Sequence, residues 1–208
     1  MAELFLPMRP KVVIIPLQEV TILPDYDTWV ALRNTIGAEY KLKSSKMKFI
    51  HPLEDRLPPW FTMKEEFGRL LKTIEPELLN KITQELDDEL FKIISSKTEL
   101  ISQINLLSRY VKIIFLNPFS PALSNRIGKL FSKNVVLFNP GSMGYRHGSK
   151  DTFAHAANLA GITLDKSCYL LADLTHYPEV KELNLTVIDN SLGPILGLKA
   201  FRERYSTK

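Results

Sequence analysis

The run Asn139-Pro-Gly-Ser-Met-Gly-Tyr-Arg-His-Gly-Ser149 holds three glycines, an arginine and a histidine, and leads straight into Lys150. Successive backbone N–H groups in such a loop can converge on an anion. The run lacks the lysine spacing of a phosphate-binding P-loop, so a surface connection is the plainer reading. The other reactive residues are sparser. His51, His147, His155 and His176 show no zinc spacing, and His176 reads as a surface or packing residue. No Ser-His-Asp set can be assembled with any specificity. Cys168 is the sole cysteine, which excludes an internal disulfide and a cysteine metal site. Its place in Ser-Cys-Tyr-Leu-Leu-Ala suggests a buried strand thiol.

Lys41-Leu-Lys-Ser-Ser-Lys-Met-Lys48 is the one basic cluster, in a chain of net charge +4. A nucleic-acid site would join it to stacking aromatics or a known module. Only Phe49 is near, so a solvated loop is the plainer reading. Nucleic-acid binding there would weaken steeply with salt.

The apolar pattern sets the framework that carries these residues. Lys11 to Leu17, Val111 to Leu116, Val135 to Asn139, Ser167 to Ala172 and Leu185 to Asp189 are short, nearly continuous apolar runs. Such runs suit strands covered on both faces. Between them, Leu123, Ile127, Leu130 and Phe131 recur at helical spacing. So do Phe153, Ala157 and Ala160, with Ser149 as N-cap. This alternation predicts a parallel sheet with right-handed crossovers.

Residues 27 to 109 read instead as mostly helical. Asp27 caps a helix carrying Trp29, Leu32 and Ile36 and ending near Gly37. Residues 41 to 61 are irregular, broken by Pro52, Pro58 and Pro59. Thr62-Met-Lys-Glu65 is a capping box before Phe67, Leu70, Leu71 and Ile74. Two more stripes come after it, Leu79-Ile82-Leu86-Leu90 and Leu100-Ile101-Ile104-Leu107. Four amphipathic helices inserted after the first strand predict a small bundle.

The composition, 45% hydrophobic and 24% charged over 208 residues, is ordinary for a globular protein with a sizeable core. No apolar run approaches the roughly 18 residues of a membrane span. Met1 to Arg9 has no basic n-region and no small-residue cleavage site. The expectation is a cytoplasmic protein with no membrane partner.

A first strand, a helical insertion and then alternating strands and helices resembles the haloacid-dehalogenase (HAD) superfamily, and within it the phosphoserine phosphatases. Asp27-Thr-Trp-Val-Ala-Leu-Arg-Asn-Thr-Ile-Gly37 resembles their first cap helix. Gly148-Ser-Lys150 and the helix after it, ending in Gly161-Ile162, resembles the third motif. Tyr169-Leu-Leu-Ala-Asp173-Leu-Thr-His-Tyr177 resembles the fourth. The resemblance implies an α/β fold: a three-layer Rossmann-like core with a parallel sheet, from residues 1–22 and 107–208. An α-helical cap, 23–106, is inserted after the first strand.

The resemblance also implies a cleft at the carboxyl ends of the strands, holding Pro16, Gln18, Asn117, Lys150, Asp173 and Tyr177. The family's first motif is Asp-x-Asp-x-Thr: the first aspartate attacks phosphorus and the second acts as acid and base. Here Pro16 and Gln18 stand there, and proline cannot act as a nucleophile. The second motif's Ser or Thr falls on Leu116 or Asn117. Lys150 matches the motif lysine. Asp173 matches one Mg²⁺ ligand, and Tyr177 stands in place of the other. With most of the oxygen shell gone, Mg²⁺ binding is not expected. Asp173 remains the weak metal candidate and would pair with Lys150.

The implied function is that of a pseudo-phosphatase, a non-catalytic protein binding a small anionic ligand, a partner protein or a second copy of itself. The alternative registration takes Asp25-Tyr-Asp27 as the catalytic pair, which would make the chain an active Mg²⁺-dependent phosphomonoester hydrolase. Pro24 directly before Asp25 argues against a central strand there. Asp25 opening a turn and Asp27 capping a helix is the plainer reading.

Overall fold

The computed structural model describes residues 10–20, 26–39, 76–117, 119–145, 148–172 and 177–189. The five apolar runs become five parallel strands: β1 (Val12–Pro16), β2 (Lys112–Leu116), β3 (Val135–Phe138), β4 (Cys168–Ala172) and β5 (Thr186–Asp189). Their order is β3-β2-β1-β4-β5. Chain order runs outward from β1 to β3, then returns to place β4 on the other side of β1. The point where the direction reverses is the usual position for a ligand crevice, at the carboxyl ends of the strands.

Register explains why the runs had to be continuously apolar. Val12 pairs with Lys112 and Cys168, and Pro16 pairs with Leu116. Alternate residues then face opposite sides. Val13, Ile15, Ile113, Phe115, Tyr169 and Leu171 join one buried cluster. Val12, Ile14, Ile114, Leu116, Cys168 and Leu170 join another. β1 and β4 are buried along their whole length, while the edge strands β3 and β5 keep partly exposed positions.

The helices are α1 (Tyr26–Glu39), α2 (Pro76–Ser96), α3 (Thr98–Leu107), α4 (Pro121–Gly128) and α5 (Lys150–Leu159). Ser120 caps α4, its Oγ accepting from Leu123 N at 3.1 Å, with Pro121 at the first helical position. Ser149 caps α5 in the same way, accepting from Thr152 N at 3.3 Å. Past the end of α5, Gly161 takes φ +78°, a left-handed conformation that suits glycine. α5 covers one face with Phe153, Ala156 and Ala157.

The other face holds a departure from the sequence reading. The expected cap ends at residue 106. Yet Ile82, Leu86, Leu90 and Ile94 of α2, and Leu100, Ile104 and Leu107 of α3, lie in the same buried cluster as Val13, Ile15 and Phe115. Residues 82–107 therefore pack on the sheet as its second helical layer, and residue 106 is not a packing boundary. An amphipathic stripe fixes which face is buried, not what buries it. The helical pattern extended through Phe131 also stops early, at Gly128. Phe131 instead turns onto the core, its ring 5.6 Å from that of Phe115. The capping box at 62–65, its stripe and the basic cluster at 41–48 lie outside the described residues. Among the described residues, no helix is long and apolar enough to cross a membrane.

Candidate functional site

The segments leaving the strands build the carboxyl edge of the sheet. β1 ends at Pro16, which is buried, and runs into a 3-10 turn, Leu17–Val20. Pro16 pairs with Leu116, which is also wholly buried. Proline offers no side-chain heteroatom and leucine no donor. The two central strands thus meet the edge with apolar groups.

Asn117 comes directly after Leu116 and is fully buried. Its N–H donates to Phe138 O at 2.8 Å, extending the ladder toward β3. Its Oδ1 accepts from Phe119 N at 3.0 Å and from Ser124 Oγ at 2.9 Å. These donors fix which end of the amide is oxygen. Its Nδ2 has no hydrogen-bond partner among the described residues. A buried donor left unmade costs about 1–3 kcal/mol, so this one marks an incomplete place in the edge.

Around Asn117 the loop into α4 is tightly tied. Asn139 Nδ2 donates to Phe119 O at 2.7 Å. Ser120 Oγ donates to Asp87 Oδ2 of α2 at 2.9 Å while capping α4. Asp88 on the next position of α2 pairs with Arg126 of α4, whose guanidinium also lies 4.4 Å from the Phe91 ring centroid. These polar contacts hold α2 against the edge loop and reinforce its place in the core.

Tyr177 is the other filled position. It is 4% exposed and belongs to the cluster of Leu116, Phe138 and Phe153. Its ring meets Phe153 edge-on at 6.3 Å. A Cβ at Gly148 would stand 3.3 Å from its Cδ1, so the glycine lets the loop before α5 lie close against the ring.

Of the remaining expected site residues, most lie outside the described residues or have side chains that are not described. Lys150 is exposed on the first turn of α5 and makes no ion pair among the described residues. Gln18 lies in the 3-10 turn after β1, and its side chain is not described. Asp173 and Asp25 lie outside the described residues, as do Arg146, His147 and His176. Asp27 is exposed in the first turn of α1, which begins at Tyr26. Asp25 stands nine positions after the last residue of β1, Pro16. His155 is spent on aromatic contacts, with ring centroids 4.9 Å from Phe138 and 5.7 Å from Tyr145. Among the described residues, no three His, Cys, Asp or Glu side chains cluster as metal ligands would.

One residue was missed by sequence reasoning. Glu19, in the turn after β1, is a buried carboxylate, 6% exposed. Its sequence neighbours, Gln18 and Val20, mark it only as a loop carboxylate; the packing after β1 buries it.

No family profile matches the sequence, and no curated protein matches it. Solved structures do match. The HAD-hydrolase YfnB of Bacillus subtilis, described bound to magnesium and with interdomain movement, aligns over 95% of this chain and 99% of its own. The identity is 9% and the TM-score 0.54. A HAD-family hydrolase of Deinococcus radiodurans, described with bound phosphate and sodium, covers 88% of this chain and 80% of its own, at 12% identity and TM-score 0.46. The likeness to YfnB shows the fold: the α/β architecture of this chain is similar to that of a HAD-hydrolase.

Proposed function

We propose that this chain is a non-catalytic protein on the HAD hydrolase fold, whose carboxyl-edge cleft binds a small anion or a partner instead of turning over a phosphate ester. The carrying observation is the paired, buried Pro16 and Leu116 at the ends of β1 and β2. Attack on phosphorus needs a carboxylate or comparable nucleophile at the cleft, and neither residue supplies one. The residue types also do not fit the magnesium that the fold implies. Mg²⁺ requires an octahedron of oxygens from carboxylates, waters and phosphate. The positions that the resemblance assigns to two of its ligands hold Pro16 and Tyr177, a proline and a ring packed into the core. These residues support no metal-dependent step.

What the edge retains suits recognition. Asn117 Nδ2 is an unused buried donor, and Lys150 carries a positive charge on the first turn of α5. An anionic ligand at Lys150 would gain charge-assisted hydrogen bonding, and meeting the amide as well requires Asn117, wholly buried here, to be uncovered. A folded protein partner, or a second copy of the chain, remains the other occupant of this cleft.

The test is hydrolysis of p-nitrophenyl phosphate with and without Mg²⁺, by the wild type beside Asp25→Asn, Asp27→Asn and Asp173→Asn. No turnover above the blank is expected in any sample. Metal-dependent turnover that disappears in Asp25→Asn or Asp27→Asn would replace this reading with that of an active phosphomonoester hydrolase. Turnover lost only in Asp173→Asn would do the same through the fourth motif.

A further inference from the structure

The opposite, amino edge of the sheet carries a groove that has no part in the carboxyl-edge cleft. It runs between α3 and the turn that joins α4 to β3. β2 separates it from the carboxyl edge by five residues, about 16 Å at strand rise.

Its walls are fixed by hydrogen bonds between segments distant in sequence. Asn105 of α3 donates from Nδ2 to Leu130 O at 3.1 Å and accepts at Oδ1 from Ser132 N at 2.8 Å. Ser108 Oγ and Ser132 Oγ lie 2.6 Å apart. Asn134 Nδ2 donates to Ser108 O at 3.0 Å. These bonds shape the groove before anything enters, which lowers the ordering cost of binding.

The charge on those walls is one-sided. Arg109 and Lys133 both line the groove, and among the described residues no acidic one does. Both are exposed, and neither makes an ion pair among the described residues. Arg109 lies just past the end of α3, where helix carbonyls favour a cation. Lys133 has no such helix to complement. The Ser102 hydroxyl also lines the groove and forms no hydrogen bond among the described residues. Ile101, Phe131 and the exposed Leu106 supply an apolar strip beside these donors.

We propose that this groove is a second binding site, separate from the carboxyl-edge cleft, for a small organic anion carrying an apolar body. The phosphate, phosphonate or carboxylate end lies between Arg109 and Lys133, within reach of the Ser102 hydroxyl. The apolar body lies along Ile101 and Leu106. The guanidinium supplies planar, forked donors and the ammonium a point charge. Among the described residues no carboxylate competes with an anion for these two cations.

The probe is phenylphosphonate, an anion on an apolar ring with no ester bond for a phosphatase to cleave. Titration followed by backbone amide chemical shifts should give saturable binding with Kd of about 1 mM or tighter. The shifts should centre on residues 101–109 and 130–134. Arg109→Glu with Lys133→Glu should weaken binding by about tenfold or more, since each removed charged hydrogen bond contributes appreciably. Both positions are exposed, and an unchanged urea midpoint verifies that the double variant is folded. Lys150→Met, which reports on the carboxyl edge, should leave the titration of the shifts at residues 101–109 and 130–134 unchanged, whatever it does to shifts near residue 150. Absence of saturable binding overturns the proposal. So do shifts at residues 101–109 and 130–134 that titrate unchanged in the double charge reversal, or that are abolished by Lys150→Met, which would place the anion at the carboxyl edge.

Discussion

The two ends of one sheet have been finished in opposite ways. At the carboxyl edge, Pro16, Leu116 and Tyr177 are all buried. The polar group at its centre, Asn117, is wholly buried and has spent its oxygen on the chain itself. At the amino edge, Asn105, Ser108, Ser132 and Asn134 use their polar atoms to fix a groove, and Arg109 and Lys133 are left exposed beside it. Polar residues at the first edge hold a loop in place; at the second they also frame an open surface. A parallel sheet fixes strand spacing and direction, while the loops decide which edge has reactive groups. Shared fold alone therefore does not carry shared function.

This contrast is most exposed to refutation at Tyr177. If its ring is a core side chain, Tyr177→Ala should destabilise the protein by about 3–5 kcal/mol, the range for deleting a large buried aromatic. The urea midpoint measures this. A loss below about 1 kcal/mol, the range of an ordinary surface change, would mean that the carboxyl edge is open and that Tyr177 lines it.

The amino edge gives a smaller effect. Asn105→Leu removes one donor and one acceptor that tie α3 to the turn before β3. The groove is partly solvated, so water can replace part of what is lost. About 1–2 kcal/mol is expected, again from the urea midpoint. Phenylphosphonate binding should weaken with it, because the turn bearing Lys133 is no longer held. Full loss of stability with intact binding would separate the framework from the groove and undo the contrast at this end.

How much of this was legible in the sequence depends on whether the deciding contacts are local. The five strands were legible because burial on both faces leaves a continuous apolar run, as in Val12–Pro16. The cap of α5 was legible in Ser149 and its end in Gly161, since caps act within a few residues. The allegiance of α2 and α3 was not. Ile82 and Ile104 announce a buried face, but a bundle and a sheet layer ask for the same stripe. Glu19 reads as a loop carboxylate, and only the packing after β1 buries it. The groove escaped notice because Asn105 and Ser132 lie 27 positions apart and meet only through the fold. At the carboxyl edge, residue types alone set Pro16 and Gln18 where the resemblance implies Asp-x-Asp. Whether Lys150 and Asp173 share one cleft depends on backbone placement that residue types do not contain.

The smallest expected effect concerns a carboxylate at the amino edge. Asp165 lies just before β4. Its Oδ1 accepts from the Ser167 hydroxyl and from Ser167 N, the latter at 2.7 Å. The hydroxyl bond first, and then the backbone N–H, hold its carboxyl below the ordinary value of 3.8. Both bonds favour the ionised form. Because the folded pKa is the lower one, the stabilisation is complete above about 3.8 and is lost as pH falls through the folded value. Asp165→Asn should therefore lower the urea midpoint at pH 7, with a gap from wild type that narrows as pH falls below about 4. Asp165 is half-exposed, so the gap should be modest. A gap that stays constant from pH 7 down to about 3 would mean that the carboxylate charge contributes nothing there. The amino edge would then be ordered by its neutral amides and hydroxyls alone, leaving Arg109 and Lys133 as the groups that give it an electrostatic character.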